Sequence, residues 1–121
     1  MKQLTGNEIL TAFSIGDYCL SGAEIKRIDI YTKEEELELD VYIDLSYSRF
    51  EKHVQLKFSE VSAYSLVANP ANGFRRIEQY KFNKCNGLYY ICFDPVAYNP
   101  GILTQDQDYI LCKQVKAFLA D

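Results

Sequence analysis

The chain has 121 residues, of which 48% are hydrophobic and 25% are charged, and its formal net charge at pH 7 is −4. This length fits one domain spanning residues 1–121, and the composition is that of a folded globular protein rather than a disordered chain. Nucleic-acid binding is disfavoured, because such proteins present a basic face. The basic residues concentrate here only at Arg75, Arg76, Lys81 and Lys84.

The cysteines and the hydropathy pattern predict a cytoplasmic protein that does not enter a membrane. Cys19, Cys85, Cys92 and Cys112 form no C-x-x-C pair, and His53 is the sole histidine, so no zinc-ligand spacing exists. No apolar run reaches the length of a signal peptide or a membrane span. We therefore expect reduced thiols, with Cys92 and Cys112 as small buried side chains, and neither a metal nor a cofactor.

The first predicted element is a short amphipathic helix in LTGNEILTAFSIG, residues 4–16. Thr5 and Glu8 have the spacing of a capping box, and Leu4 and Ile9 that of a hydrophobic staple. Gly16 is a natural end for this helix.

The segments that follow read as a strand hairpin. Residues 23–31 predict a strand with a bulge near Lys26, because Ile25 is out of phase with Ile28 and Ile30. After a TKEE turn, every second residue is apolar: Leu37, Leu39, Val41, Ile43 and Leu45. This alternation predicts a strand with one buried and one solvated face, and hence an antiparallel sheet.

The remaining segments predict further strands and a final helix. HVQLKF (53–58) alternates until the phase slips at Ser59–Glu60, and VSAYSLVA is another strand or a bent extension of the same one. Asn86-Gly87 predicts a hairpin turn between two more strands. Residues 104–121 predict a helix, with a Thr104/Gln107 capping box and an apolar stripe of Leu111, Val115, Phe118 and Leu119.

These elements define an α+β class. We expect a bent antiparallel sheet of about five to six strands, with a short N-terminal helix and a C-terminal helix packed on it.

The acidic half of the first hairpin does not suit a metal or a catalytic pair. Same-face carboxylates on one strand lie about 6.6–6.8 Å apart, too far to gather the six to eight oxygens that Ca²⁺ takes. Exposed like charges also lack the selective burial that separates the pKa values of an acid and a base. Nucleophile-elbow and phosphate-binding motifs do not occur, which disfavours an enzyme. One alternative function is nevertheless that of a small enzyme with a cleft near Cys92, Asp94 and Tyr98.

The same carboxylates can form either a solvated sheet face, partly neutralised by Arg27 and Lys57, or a docking surface for a basic partner. Asp29 faces the same way, and opposed like charges favour the docking surface. Tyr47 near the edge of this face is a further candidate anchor. The predicted partner-binding residues are Asp29, Tyr31, Glu36, Glu38, Asp40, Tyr42 and Asp44.

The run AEIKRIDIY, LELDVYIDL, VQLKFSEVSAYSL and YYICFDP, roughly residues 23–95, resembles the small bacterial immunity proteins of polymorphic-toxin systems. The shared pattern is a strand hairpin followed by V-x-L-x-F-x-x-V, here Val54, Leu56, Phe58 and Val61. The resemblance implies a non-enzymatic protein-binding module that occludes the active site of a toxin. The alternative is a structural or self-assembling protein that forms a homodimer through the sheet face or an edge strand.

Overall fold

The computed structural model describes residues 2–14, 18–45, 48, 51–66, 76–77, 79–94 and 107–121. It contains the strands β1 (Lys2–Thr5), β2 (Glu24–Lys33), β3 (Glu36–Asp44), β4 (His53–Ser65), β5 (Lys81–Cys85), β6 (Leu88–Asp94) and β7 (Gln107–Ala120), and the helix α1 (Asn7–Ser14). Within these residues no helix combines the length and the apolar character needed to cross a membrane.

The described strands form one antiparallel sheet in the order β2-β3-β4-β7-β6-β5, and β1 pairs with the far end of β7. β7 therefore lies at the centre, with β4 on one side and both β6 and β1 on the other. β2 and β5 lie at the two ends of this order. The predicted antiparallel sheet is confirmed, and its described strands number seven rather than five or six.

Residues 107–120 form a strand where the sequence predicted a helix over residues 104–121, and Thr104 lies outside the described residues. Gln107–Ala120 forms β7, and Val115, Ala117 and Leu119 are buried at alternate positions. The prediction of a C-terminal helix is therefore wrong. The apolar stripe arose because Phe118 was counted with the core, whereas it lies on the opposite face of the strand from Leu119.

The N-terminal helix is confirmed, although it begins two residues after Thr5, and its predicted end at Gly16 lies outside the described residues. The Glu8 carboxylate accepts hydrogen bonds from the backbone N–H of Thr5 at 3.1 Å and from the Thr5 hydroxyl at 3.0 Å. Gly6 provides the left-handed residue before the helix with φ of 53°. An added Cβ at Gly6 would lie 2.8 Å from the Tyr89 hydroxyl, so a larger residue does not fit without movement.

The β2–β3 hairpin has the predicted bulge and a tight two-residue turn. The register shifts between Ile25 and Arg27, so Ile25 and Ile28 both face the core despite their odd spacing. Glu34 and Glu35 form the turn with φ of 53° and 68°. Positive φ at both positions is the requirement of the type I′ turn.

Two further predictions about the strands are confirmed. The phase slip after Ser59 is a bend within the single long strand β4, where Glu60 has φ of 52° and the pairing with β7 shifts between Val61 and Ala63. Asn86 and Gly87 form the β5–β6 turn with φ of 52° and 81°.

The core lies between the inward face of the curved sheet and α1. Its largest fully buried members include Phe13, Phe58, Phe93, Leu39, Leu56 and Ile91. The ring of Phe13 lies 5.6 Å from that of Phe82, which ties the helix to β5. The sheet curls until the start of β2 meets the segment before β5, where Gly22 and Ala23 exchange backbone hydrogen bonds with Ile77.

Candidate functional site

A row of charged side chains crosses four strands on the outward face of the sheet. Asp29 lies opposite Asp40, Asp40 opposite Lys57, and Lys57 opposite Lys116. Directly opposed residues of antiparallel strands point to the same side. The row is therefore negative on β2 and β3 and positive on β4 and β7, and the predicted opposition of Asp29 to the acidic strand is confirmed.

Lys57 lies at the centre of a hydrogen-bonded group that we call the Lys57 cluster: Tyr31, Glu38, Asp40, Lys57 and Ser59. The Lys57 ammonium donates to the Tyr31 hydroxyl at 2.9 Å, and that hydroxyl donates to Asp40 Oδ2 at 3.0 Å. The same Nζ lies 3.8 Å from Asp40 Oδ1 and 3.9 Å from Glu38 Oε1. Ser59 Oγ donates to Glu38 Oε1 at 3.4 Å. One cation thus serves two carboxylates.

The two carboxylates of the cluster are buried, although strand alternation predicted a solvated face. Glu38 and Asp40 are each only 7% exposed. Asp40 Oδ1 is buried without a hydrogen-bond partner. A buried carboxylate oxygen of this kind costs free energy, because water no longer solvates it and Lys57 is too distant to bond it.

The pKa values in the cluster reflect this arrangement. The hydrogen bond to Tyr31 does most to raise the pKa of Lys57, with the negative charges of Asp40 and Glu38 adding to it and burial opposing it. The hydrogen bond from Lys57 lowers the pKa of Tyr31, but burial and Asp40 outweigh it and the net shift is upward. Lys57 is therefore held as an ammonium and Tyr31 as a phenol, neither of which is suited to act as a base at neutral pH.

Outside the Lys57 cluster, the charged side chains of this face are more exposed. Arg27 Nε lies 2.9 Å from Asp29 Oδ1, and the Arg27 guanidinium also lies 5.4 Å from the centre of the Tyr42 ring. Past the cluster, the hairpin tip presents Glu36 and the turn residues Glu34 and Glu35, all exposed. The face therefore has exposed carboxylates at its tip and buried carboxylates behind them.

The remaining predicted residues lie at the other end of β3, around a shallow groove of about 390 Å³. Its lining includes Tyr42, Asp44, His53 and Phe118. Asp44 lies opposite His53, about 27 Å along β3 from Glu36. Of the predicted set, the Lys57 cluster contains Tyr31, Glu38 and Asp40, and this groove is lined by Tyr42 and Asp44. Asp29 and Glu36 lie outside both. Phe118 was missed because the sequence placed it on a helix, and Tyr47 lies outside the described residues.

The alternative enzyme site is only partly described. Cys92 is fully buried, as is Cys112, which confirms both as buried small side chains. The side chain of Asp94 and the whole of Tyr98 lie outside the described residues. Across the described chain, no three His, Cys, Asp or Glu side chains are grouped so that they could hold a metal ion.

The predicted basic concentration does not form one face. Lys81 is buried with its ammonium 5.7 Å from the centre of the Tyr90 ring, and Lys84 lies 5.3 Å from that of Tyr89 on the opposite side of the β5–β6 hairpin. Arg76 is 3.5 Å from Glu24. Arg75 is outside the described residues.

Comparison of the chain with protein-family models, with curated proteins and with solved structures gave no match.

Proposed function

We propose that the protein is a non-enzymatic binding module that captures a basic protein partner through its acidic β2–β3 hairpin. The single observation that carries the proposal is the unbalanced charge of this hairpin. Residues 27–40 contain six carboxylates, and only Arg27, Lys33 and, from the neighbouring strand, Lys57 oppose them. Three negative charges are left in excess on one small region of the surface.

The burial of Glu38 and Asp40 supports the proposal in a specific way. Because these carboxylates lie in a region of low dielectric, water screens their field less than that of exposed charges. Their two charges share Lys57, so a net negative charge stands behind the exposed tip. A partner would contact Glu34, Glu35 and Glu36 directly and would feel the buried carboxylates through the field.

Such a field acts mainly on the rate of association. Complementary charge steers an approaching partner and raises the association rate by roughly 10–10³-fold at low ionic strength. Tyr31 and Tyr42 lie on the same face as half-buried aromatic side chains that a partner could cover. A basic toxin domain neutralised by occlusion of its active site is the partner that the resemblance to immunity proteins implies.

We expect a basic toxin-type domain to be encoded next to this gene, and the test is its association with the protein, followed by stopped flow at low and high salt. Substitution of Glu34, Glu35 and Glu36 by Gln is expected to lower the association rate about tenfold at low salt and to flatten its salt dependence. The matched control, Glu8→Gln/Glu51→Gln/Asp121→Asn, removes the same charge elsewhere and retains the oxygens that accept from Thr5 and Tyr18. Equal effects of the two triple variants, or no binding to such a domain, would refute the proposal.

A further inference from the structure

The outer edge of β2 is a second surface, distinct from the acidic face. β2 is a terminal strand of the sheet, and beyond a single bridge from Glu24 to Arg76 no described strand pairs with its outer side. From Arg27 to Lys33 it pairs with β3 without a register shift. This seven-residue stretch of regular strand therefore presents unpaired backbone groups, from alternate residues, along its outer edge.

The hairpin turn determines which backbone groups point outward. In an antiparallel pair, residues bonded to the neighbouring strand alternate with residues whose N–H and C=O point away from it. Lys33 and Glu36 close the two-residue turn as a bonded pair. Because Lys33 is bonded to β3, alternation along β2 makes the backbone N–H and C=O groups of Thr32, Ile30 and Ile28 point to the outer edge.

Ile30 lies at the centre of this regular segment and is the most exposed large hydrophobic side chain among the described residues, at 47%. A strand placed antiparallel to β2 with Ile30 opposite Ile30 would bring Ile28 opposite Thr32 at both ends. All three outward-facing residues would then bond in phase, giving about six backbone hydrogen bonds. The outward backbone groups of β2 thus match those of a second copy about Ile30.

We propose that two copies of the protein associate through their β2 edges, antiparallel and two-fold symmetric about Ile30, to form one continuous sheet. The occupant of the edge is a second copy because a symmetric pairing covers Ile30 with an identical side chain and uses every outward backbone group between Ile28 and Thr32. Arg27 would face Lys33 of the second copy, but each already has an acidic neighbour: Asp29 at 2.9 Å from Arg27, and Glu36 opposite Lys33.

Disulfide trapping tests the register directly. In a background where the accessible thiols Cys19 and Cys85 are changed to Ser, Ile30→Cys should form a disulfide dimer under mild oxidation. The Cα atoms of a bonded antiparallel pair are about 5.5 Å apart, within the range that a disulfide spans. Thr32→Cys alone should fail, since its two copies would be about 14 Å apart. A mixture of Ile28→Cys and Thr32→Cys proteins should cross-link.

Sedimentation velocity on the unmodified protein supplies the independent test. We expect a concentration-dependent dimer, and Ile30→Lys should weaken it at least about tenfold, because two ammonium groups would then oppose each other. Urea unfolding of Ile30→Lys at low concentration checks that the protomer still folds. A monomer at every concentration would overturn the proposal, as would equal cross-linking of Ile30→Cys and Thr32→Cys. Every carboxylate of the acidic hairpin is retained in these variants, so their outcome is separate from that of the partner-binding proposal.

Discussion

Asp29 and Asp40 lie directly opposite each other on β2 and β3. Arg27 makes this opposition tolerable, because it lies two residues before Asp29 on the same face of β2, with its Nε 2.9 Å from Asp29 Oδ1. Asp40 accepts a hydrogen bond from Tyr31 and lies 3.8 Å from the Lys57 ammonium. Each carboxylate of the opposed pair thus has its own donor.

Lys57→Met should destabilise the fold by about 2 kcal/mol at pH 7, because Glu38 and Asp40 would lose their shared cation while remaining buried. Urea unfolding at pH 7 measures this loss.

Two further variants make this experiment specific. Lys116→Met removes the next cation of the same row, which is exposed, and should cost less than about 0.5 kcal/mol. Asp40→Asn in the Lys57→Met background should recover part of the lost stability. An effect of Lys116→Met as large as that of Lys57→Met would show that the cluster has no special role.

The Glu34-Glu35 turn is a place where the protein can be stabilised. Both residues have positive φ, a conformation that costs a residue with a Cβ roughly 1 kcal/mol and that Asn and Gly adopt readily. Glu34→Asn/Glu35→Gly should raise the free energy of unfolding by about 1 kcal/mol with an unchanged urea m-value. Glu34→Gln/Glu35→Gln removes the same charges without the conformational gain, and an equal rise in that variant would assign the effect to electrostatics.

Amide exchange should be slowest in the C-terminal half of β7. This strand is bonded to β4 on one side and to β1 on the other, and Val115, Ala117 and Leu119 are buried. We expect these amides to exchange only through global unfolding, with protection equal to the unfolding free energy measured in urea. Hydrogen exchange followed by NMR checks this. Earlier exchange of β7 than of β4 would contradict its central position.

The sequence predicted the hairpins and failed at β7 for a physical reason. Strict alternation over Leu37–Leu45 and the Asn86-Gly87 turn each depend on neighbours in sequence, and both are confirmed. In β7 the buried positions change phase between Cys112 and Val115, and the half-buried Leu111 and Phe118 are also apolar, so no period of two is visible in the sequence. Lys, Gln, Ala and Leu also have high helix propensity, and pairing with strands far away in sequence overrides it.

The candidate site shows the same limit. Alternation correctly put Glu38 and Asp40 on the outward face, but their burial depends on Tyr31 and Lys57 from neighbouring strands. Ser59 joins the cluster through a register that no local pattern reveals. The identity of the acidic face was therefore predictable, whereas its division into buried and exposed carboxylates was not.

Stability at alkaline pH should depend on a buried thiol. Burial raises the pKa of Cys112 to about 12, from 9.0 for an ordinary thiol, with a backbone hydrogen bond from Gln114 opposing the shift. Because the folded state holds this proton more tightly, its stabilising contribution is complete below pH 9 and is lost between pH 9 and 12. The loss approaches about 1.4 kcal/mol per pH unit.

Between pH 9 and 10, the free energy of unfolding should fall less steeply with pH in Cys112→Ala than in the unmodified protein. This window lies below the pH range in which the raised pKa values of Tyr80, Tyr31 and Lys57 affect stability. Its stability at pH 7 will be lower, because the smaller side chain leaves space in the core. The measurement is therefore the slope against pH and not the absolute value. Cys19→Ala removes an exposed thiol and should keep the slope of the unmodified protein. If Cys112→Ala keeps that slope too, burial of Cys112 does not govern the alkaline limit of the fold.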